Sequence, residues 1–163
     1  MPDNEALFET LHSDYQAMVL QMCLGFMKGD PDLAKDLSQQ VFINTWQALN
    51  KFNNASSYKT WIYRITVNTC LKYIRDKKDQ YQVPIDEAHV HLADESATLP
   101  NAAHQSLYQA IGRLGEVDRL IMMMVLEELE YGEISTIIGI SEGTLRVKIH
   151  RIKKHLKKIL ENE

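Results

Sequence analysis

The sequence predicts an all-α chain of two small helical domains joined by a flexible linker. Three observations carry this. Apolar residues recur at three- and four-residue steps on either side of a central gap. In that gap, residues 81–100, the period is lost, no lysine or arginine occurs, and Pro84 and Pro100 interrupt the chain. Near the C-terminus, Gly139 and Ser141 separate a short amphipathic segment from a longer one, the pattern of a helix, a tight turn and a second helix.

The first helix is expected from about Glu5 to Lys28, with Leu7, Leu11, Tyr15, Met18 and Met22 on its apolar side. Gly29-Asp30-Pro31 stops it and opens the next: Asp30 can cap, and proline suits a first helical position. The second helix runs to about Phe52, with Leu33, Leu37, Val41 and Leu49 inward and Asp32, Asp36, Gln39, Gln40 and Asn44 on a polar face. Phe52 to Tyr58 reads as a loop of small polar residues that compete with helix. A third helix then reaches about Lys78, its buried side marked by Ile62, Ile65, Thr69 and Tyr73. Arg64, Asn68, Lys72 and Arg75 line an adjacent face, and Trp61 reads as core. An asparagine within a basic stripe, beside a polar loop bounded by aromatics, suits single-stranded DNA: phosphates meet the bases while a nucleobase enters the loop.

After the linker, helical spacing resumes from about Asn101 through Leu107, Ile111, Leu114, Leu120, Ile121, Met124 and Val125, and Met122-Met123-Met124 reads as core filling. Ile134, Ile137 and Ile138 lead to Gly139, suited to a positive φ, and Ser141 offers an oxygen to the free N–H groups of the last helix. That helix repeats Leu145, Ile149, Ile152, Leu156, Ile159 and Leu160 on one arc. Arg146, His150, Lys153, Lys154 and Lys157 fall on the other, with Arg151 and Lys158 beside them and no acid between Glu142 and Glu161. One arc can pack while the other lies in a DNA groove, and the helix N-terminus favours a phosphate.

The net charge of −4 hides a segregation. Residues 1–50 carry −5 and residues 51–80 carry +5; residues 81–140 carry −8 and residues 141–163 carry +4. Two basic patches alternating with two acidic segments suit a protein that meets nucleic acid in two places and a protein elsewhere. No apolar run is long enough to cross a bilayer, and the N-terminus has acids rather than a basic-then-apolar signal. Cys23 and Cys70 each sit within an apolar helical pattern without a Cys-x-x-Cys pair, so neither zinc nor a disulfide scaffold is expected and a reduced cytoplasmic protein is the default. His89 and His91 belong to a solvated linker. Without a glycine-rich phosphate loop, a ligand cluster or a nucleophile motif, the chain is not expected to be an enzyme or to need a cofactor.

Asp36-Leu37-Ser38-Gln39-Gln40-Val41-Phe42 with Trp46 and Leu49, and Tyr58 to Ile65 with Asn68, resemble region 2 of the bacterial sigma factors of the extracytoplasmic-function group. Tyr131 to Arg151 resembles their region 4. Both motifs, their order, the linker and the length agree. The resemblance implies a region 2 bundle of three to four helices over residues 1–80, an acidic linker over 81–100, and a region 4 helix-turn-helix over 101–163. It implies a non-enzymatic protein that binds core RNA polymerase, directs it to promoters and helps open the duplex.

Carried over by position, Asp36, Gln39 and Gln40 would face the clamp helices of the beta-prime subunit. Asn53, Asn54, Ser56, Ser57 and Tyr58 would hold a flipped minus-10 base, with Arg64, Asn68, Lys72 and Arg75 along the strand. Tyr131, Glu133, Thr144, Arg146, Val147, His150 and Arg151 would serve the minus-35 element. An anti-sigma factor is the further partner implied, either in the cytoplasm or holding the chain at the inner membrane face from a membrane anchor; direct insertion is not implied. Gln40 stands where the pattern has glutamate, Gly132 where an acid is commoner, and Val147 and Lys148 where serine and arginine are usual. Val147 offers a base no hydrogen bond but can touch a thymine methyl. The other reading of the same residues is a two-domain regulator that binds duplex DNA and dimerises through its N-terminal helices.

Overall fold

In the computed structural model, residues 3–80 and 102–162 are described; the acidic linker, with His89 and His91, lies outside them. The described residues form α1 (Asn4–Phe26), α2 (Pro31–Ala48), a 3-10 turn (Leu49–Lys51), α3 (Tyr58–Gln80), α4 (Ala102–Gly112), α5 (Glu116–Leu126), α6 (Tyr131–Ile138) and α7 (Glu142–Glu161), with no strand among them.

Local chemistry sets the boundaries. The Asp3 carboxylate accepts the Glu5 N–H and starts α1. Lys28 and Gly29 follow with φ of 61° and 87°, and Gly29 N–H closes back to the Leu24 carbonyl at 2.8 Å. This reversal carries the chain directly into α2, where Asp30 accepts from the Asp32 and Leu33 N–H groups and Pro31 occupies the first turn. Ser57 Oγ accepts the Thr60 N–H at 3.1 Å, so α3 begins at Tyr58, a residue expected in the loop.

The two helical units share one core. In α1, Val19, Met22, Cys23 and Phe26 are buried; in α5, Arg119 through Met124 all are. Gly25 makes this closeness possible, since a Cβ there would collide with the Met123 side chain. Gln21 Nε2 donates to the Tyr108 hydroxyl at 2.7 Å, and Lys78 pairs with Glu116 at 3.0 Å. The Arg119 guanidinium lies 5.0 Å from the centre of the Phe26 ring, and its Nη1 donates to the Leu114 carbonyl at 2.8 Å. Its buried Nε has no hydrogen-bond partner among the described residues, and burial pushes its pKa down.

Two details of burial differ from expectation. On α3 the inward side is broader than Ile62, Ile65, Thr69 and Tyr73: Tyr63, Thr66, Val67 and Cys70 are buried, while Ile65 and Tyr73 are only half-buried. The reason is that α3 packs against α1, α2, α5 and α6, on more than one side. Leu160, expected on the apolar arc of α7, is 41% exposed although Ile159 beside it is buried; one residue on, it stands about 100° further round the helix, at the edge of that arc.

Gly25→Leu places a branched side chain where Met123 lies. The overpacking of about 1–3 kcal/mol outweighs a helix-propensity gain of about 0.5–1 kcal/mol. A net loss of stability is expected in urea unfolding; an unchanged midpoint would show that α5 moves aside freely.

Candidate nucleic-acid interface

The C-terminal turn is built as its residues dictate. Gly139 takes φ 86°, and its N–H bonds to the Ser135 carbonyl at 2.8 Å. Ser135 Oγ donates to the Ile140 carbonyl, which ties the turn to the helix it leaves. Ser141 caps α7 by accepting the Thr144 N–H at 3.2 Å and also bonds the Thr144 hydroxyl at 2.8 Å. One of the N–H groups expected to attract a phosphate is therefore already engaged.

With Leu145, Ile149, Ile152, Leu156 and Ile159 buried, α7 turns its other arc outward. Thr144, Arg146, Val147, His150 and Arg151 are all exposed, Val147 by 52%. Arg146 is exposed but not unattached. Its Nη2 donates to Glu142 Oε1 at 3.0 Å, and its guanidinium stands 5.5 Å from the centre of the Tyr131 ring. Tyr131 and Glu133, both on α6, are half-buried; Glu133, with Glu127, adds to burial in pushing up the pKa of the Tyr63 phenol on α3.

The second basic surface lies on α3. Asn68, Lys72 and Arg75 are exposed and follow one another at helical steps, while Arg64 is half-buried. Before them the loop is ordered by its own side chains. Asn53 Oδ1 accepts the Ala55 N–H at 3.1 Å, Asn54 takes φ 59°, and Ser56 Oγ donates to the Ser57 carbonyl at 3.3 Å. The Tyr58 ring stacks on Phe52 at 4.5 Å, and Trp61 closes on Phe52 at 4.8 Å. Trp61, read as core, is half-buried and forms one wall of this aromatic cluster. Ser57, though exposed, is committed to capping α3, and Asn53 and Asn54 are exposed beside it.

Asp36, Gln39 and Gln40 are exposed on α2 but do not form one cluster. Asp36 and Gln40 border a polar cleft shared with Lys72, Tyr73 and Asp76 of α3. Gln40 donates to Asn44 at 3.0 Å, and Asn44 donates to Thr69 at 3.0 Å, so the polar face of α2 is partly tied to α3. Gln39 instead borders an apolar groove with Phe8, His12, Phe42, Ile43 and Trp46. Phe8 meets Trp46 edge-on at 5.3 Å, yet Ile43 and Trp46 remain 49% and 47% exposed. Sequence reading missed this groove. Its signal is Ile43 and Trp46 standing three residues apart, outside the stripe of Leu37, Val41 and Leu49; the α1 wall appears only on folding.

The family described as Sigma-70 region 2 matches residues 11–80, and Sigma-70, region 4 matches residues 104–156. The ECF RNA polymerase sigma factor SigW of Bacillus subtilis is 29% identical over 161 residues, spanning 91% of this chain and 86% of that protein. The RNA polymerase sigma factor YlaC of the same organism is 30% identical over 139 residues, spanning 78% and 77%. Among solved structures, the sigma factor RpoE of Bartonella quintana, in complex with the anti-sigma factor NepR, superposes with a TM-score of 0.76 at 19% identity, covering 94% of this chain and 96% of that one.

Ser141→Ala removes the cap of α7 and is expected to cost about 1 kcal/mol. Thermal unfolding checks it: an unchanged midpoint would mean that the Ser135 and Gly139 bonds hold the turn alone.

Proposed function

Since the chain belongs to the sigma-70 family, in its extracytoplasmic-function group, we propose the following division of labour for its surfaces. As a sigma factor it acts in transcription initiation. Residues 1–80 bind core RNA polymerase and open the minus-10 element, residues 81–100 are an acidic linker, and residues 101–163 read the minus-35 element. The observation that carries this reading is the pair of basic helical faces, on α3 and α7, beside an exposed apolar groove on α2.

Polymerase grips α2. Asp36, Gln39 and Gln40 supply polar contacts to the beta-prime clamp helices, and Ile43 and Trp46 lose their exposed area to the same partner. Exposed aromatic anchors of this kind carry a disproportionate share of interface energy. Asn53, Asn54, Ser56, Ser57 and Tyr58 receive the flipped base against the Phe52–Trp61 stack. Arg64, Asn68, Lys72 and Arg75 follow the single strand. Stacking of the captured base offsets part of an unstacking cost of a few kcal/mol. In the major groove, Arg146, Val147, His150 and Arg151 meet base edges; Thr144 and Tyr131 stand near the backbone. The protein makes and breaks no bonds itself.

The closed packing of the two units is the resting form in this reading. DNA rises about 34 Å per ten base pairs, so elements at minus 35 and minus 10 lie about 85 Å apart. A compact chain of this size has a radius of gyration of about 15 Å, and so a breadth near 40 Å. The seam along Gly25 and Met123 must part before one chain spans both elements. Residues 81–101, fully extended, reach about 70 Å. An anti-sigma factor that covers both units while they are closed would hold this form; the structurally similar RpoE is in complex with an anti-sigma factor, NepR.

Ile43→Glu together with Trp46→Ala is expected to weaken binding to bacterial core polymerase by about 2–4 kcal/mol while the fold persists, since both side chains are half-exposed. Wild-type affinity in the double variant would remove the groove from the interface. Failure of the wild-type chain to start transcription with core polymerase would remove the whole reading.

A further inference from the structure

Glu142 is conspicuous on the exposed arc of α7. It is the one acid there before Glu161, on a surface otherwise basic, and it occupies the first helical turn where a DNA phosphate would approach. A carboxylate in that place opposes the backbone attraction on which every DNA contact draws. Its geometry gives it another use. It accepts from Arg146 Nη2 at 3.0 Å, while the Tyr131 ring stands 5.5 Å from the same guanidinium. Gly132 lies next to it: a Cβ there would stand 3.9 Å from Glu142 Oε2, an ordinary contact distance.

Resting on the reading of α7 as the minus-35 helix, we infer that Glu142 is a positioning residue for specificity: it holds the Arg146 guanidinium, against the Tyr131 ring, in place to read one base pair. A free arginine side chain samples many rotamers and reaches a phosphate as readily as a base edge, and phosphate contacts carry no sequence information. An arginine already fixed loses less freedom on binding, and the carboxylate screens the nearest backbone path. With one nitrogen bound to Glu142, the planar fork keeps other N–H groups for a guanine edge.

The test is transcription by core polymerase and the full chain on promoters randomised across the minus-35 element. Arg146→Ala should flatten the preference at one base pair. Glu142→Ala should lower the preference at that same base pair at least about threefold. Glu142→Gln, which keeps an acceptor oxygen without the charge, should fall between Glu142→Ala and wild type. The Arg146→Ala, Glu142→Ala double variant should match Arg146→Ala alone. A uniform rise in output with Glu142→Ala would make the carboxylate a simple repellent and overturn the inference. An altered preference at a different base pair would show that Glu142 reads a base directly, with the same consequence. If Arg146→Ala changes no position, the base-reading role of Arg146 fails first and the inference fails with it; if only the Glu142 variants are silent, the positioning role alone is lost.

Discussion

The close approach of α1 and α5, made possible by the bare backbone of Gly25 beneath Met123, is the constraint around which the rest is arranged. Because those helices meet, α6 lies along α3, and groups from both units share one environment. Burial, then Glu127 and Glu133, pushes up the Tyr63 phenol. A hydrogen bond with Cys23 and burial push up the Cys70 thiol, while Arg119 acts in the opposite direction. Both thiols are buried, and apolar burial of this kind makes cysteines unreactive. Arg119 is the weak point of the same seam. A buried guanidinium held by a carbonyl, a ring face and the charge of Glu116, with Nε unpaired among the described residues, costs stability that a better-paired group would not. The seam therefore joins two units that each keep their own caps and turns, and it carries a penalty of its own.

Much of this fold was legible in the sequence, for an identifiable reason. Helix spacing, the Asp30–Pro31 start of α2, and the Gly139 and Ser141 turn are local signals, and each acts within a few residues of itself. The basic faces of α3 and α7 were legible because lysine and arginine are seldom buried, so most of their outward placement follows from charge; half-buried Arg64 and buried Arg119 are the exceptions. What was not legible depends on contacts between distant segments. Nothing near Gly25 announces that Met123 will occupy its missing side chain. The groove at Trp46 needs Phe8 and His12 from another helix. Asp36, Gln39 and Gln40 read as one polar patch in sequence, yet the α2 helix divides them between an apolar groove and a polar cleft. The start of α3 at Tyr58 was not legible either: a run of small polar residues offers several capping oxygens, and only the fold shows that Ser57 is the one used.

Selectivity in such a chain cannot come from net charge, which is −4 and opposes DNA. It comes from sorting charge by face. Residues 51–80 and 141–163 present +5 and +4 while the remainder is acidic, so attraction is local and falls off within about 10 Å at moderate salt. On the proposed reading, each basic face alone is only a modest binding site for nucleic acid. Tied to one polymerase, the second contact becomes intramolecular, and its effective concentration rises without any new bond. The acidic remainder then has a physical role. On the proposed reading it would suppress wandering of the free chain onto arbitrary DNA, so that binding becomes appreciable only where a carrier protein brings both faces onto one promoter.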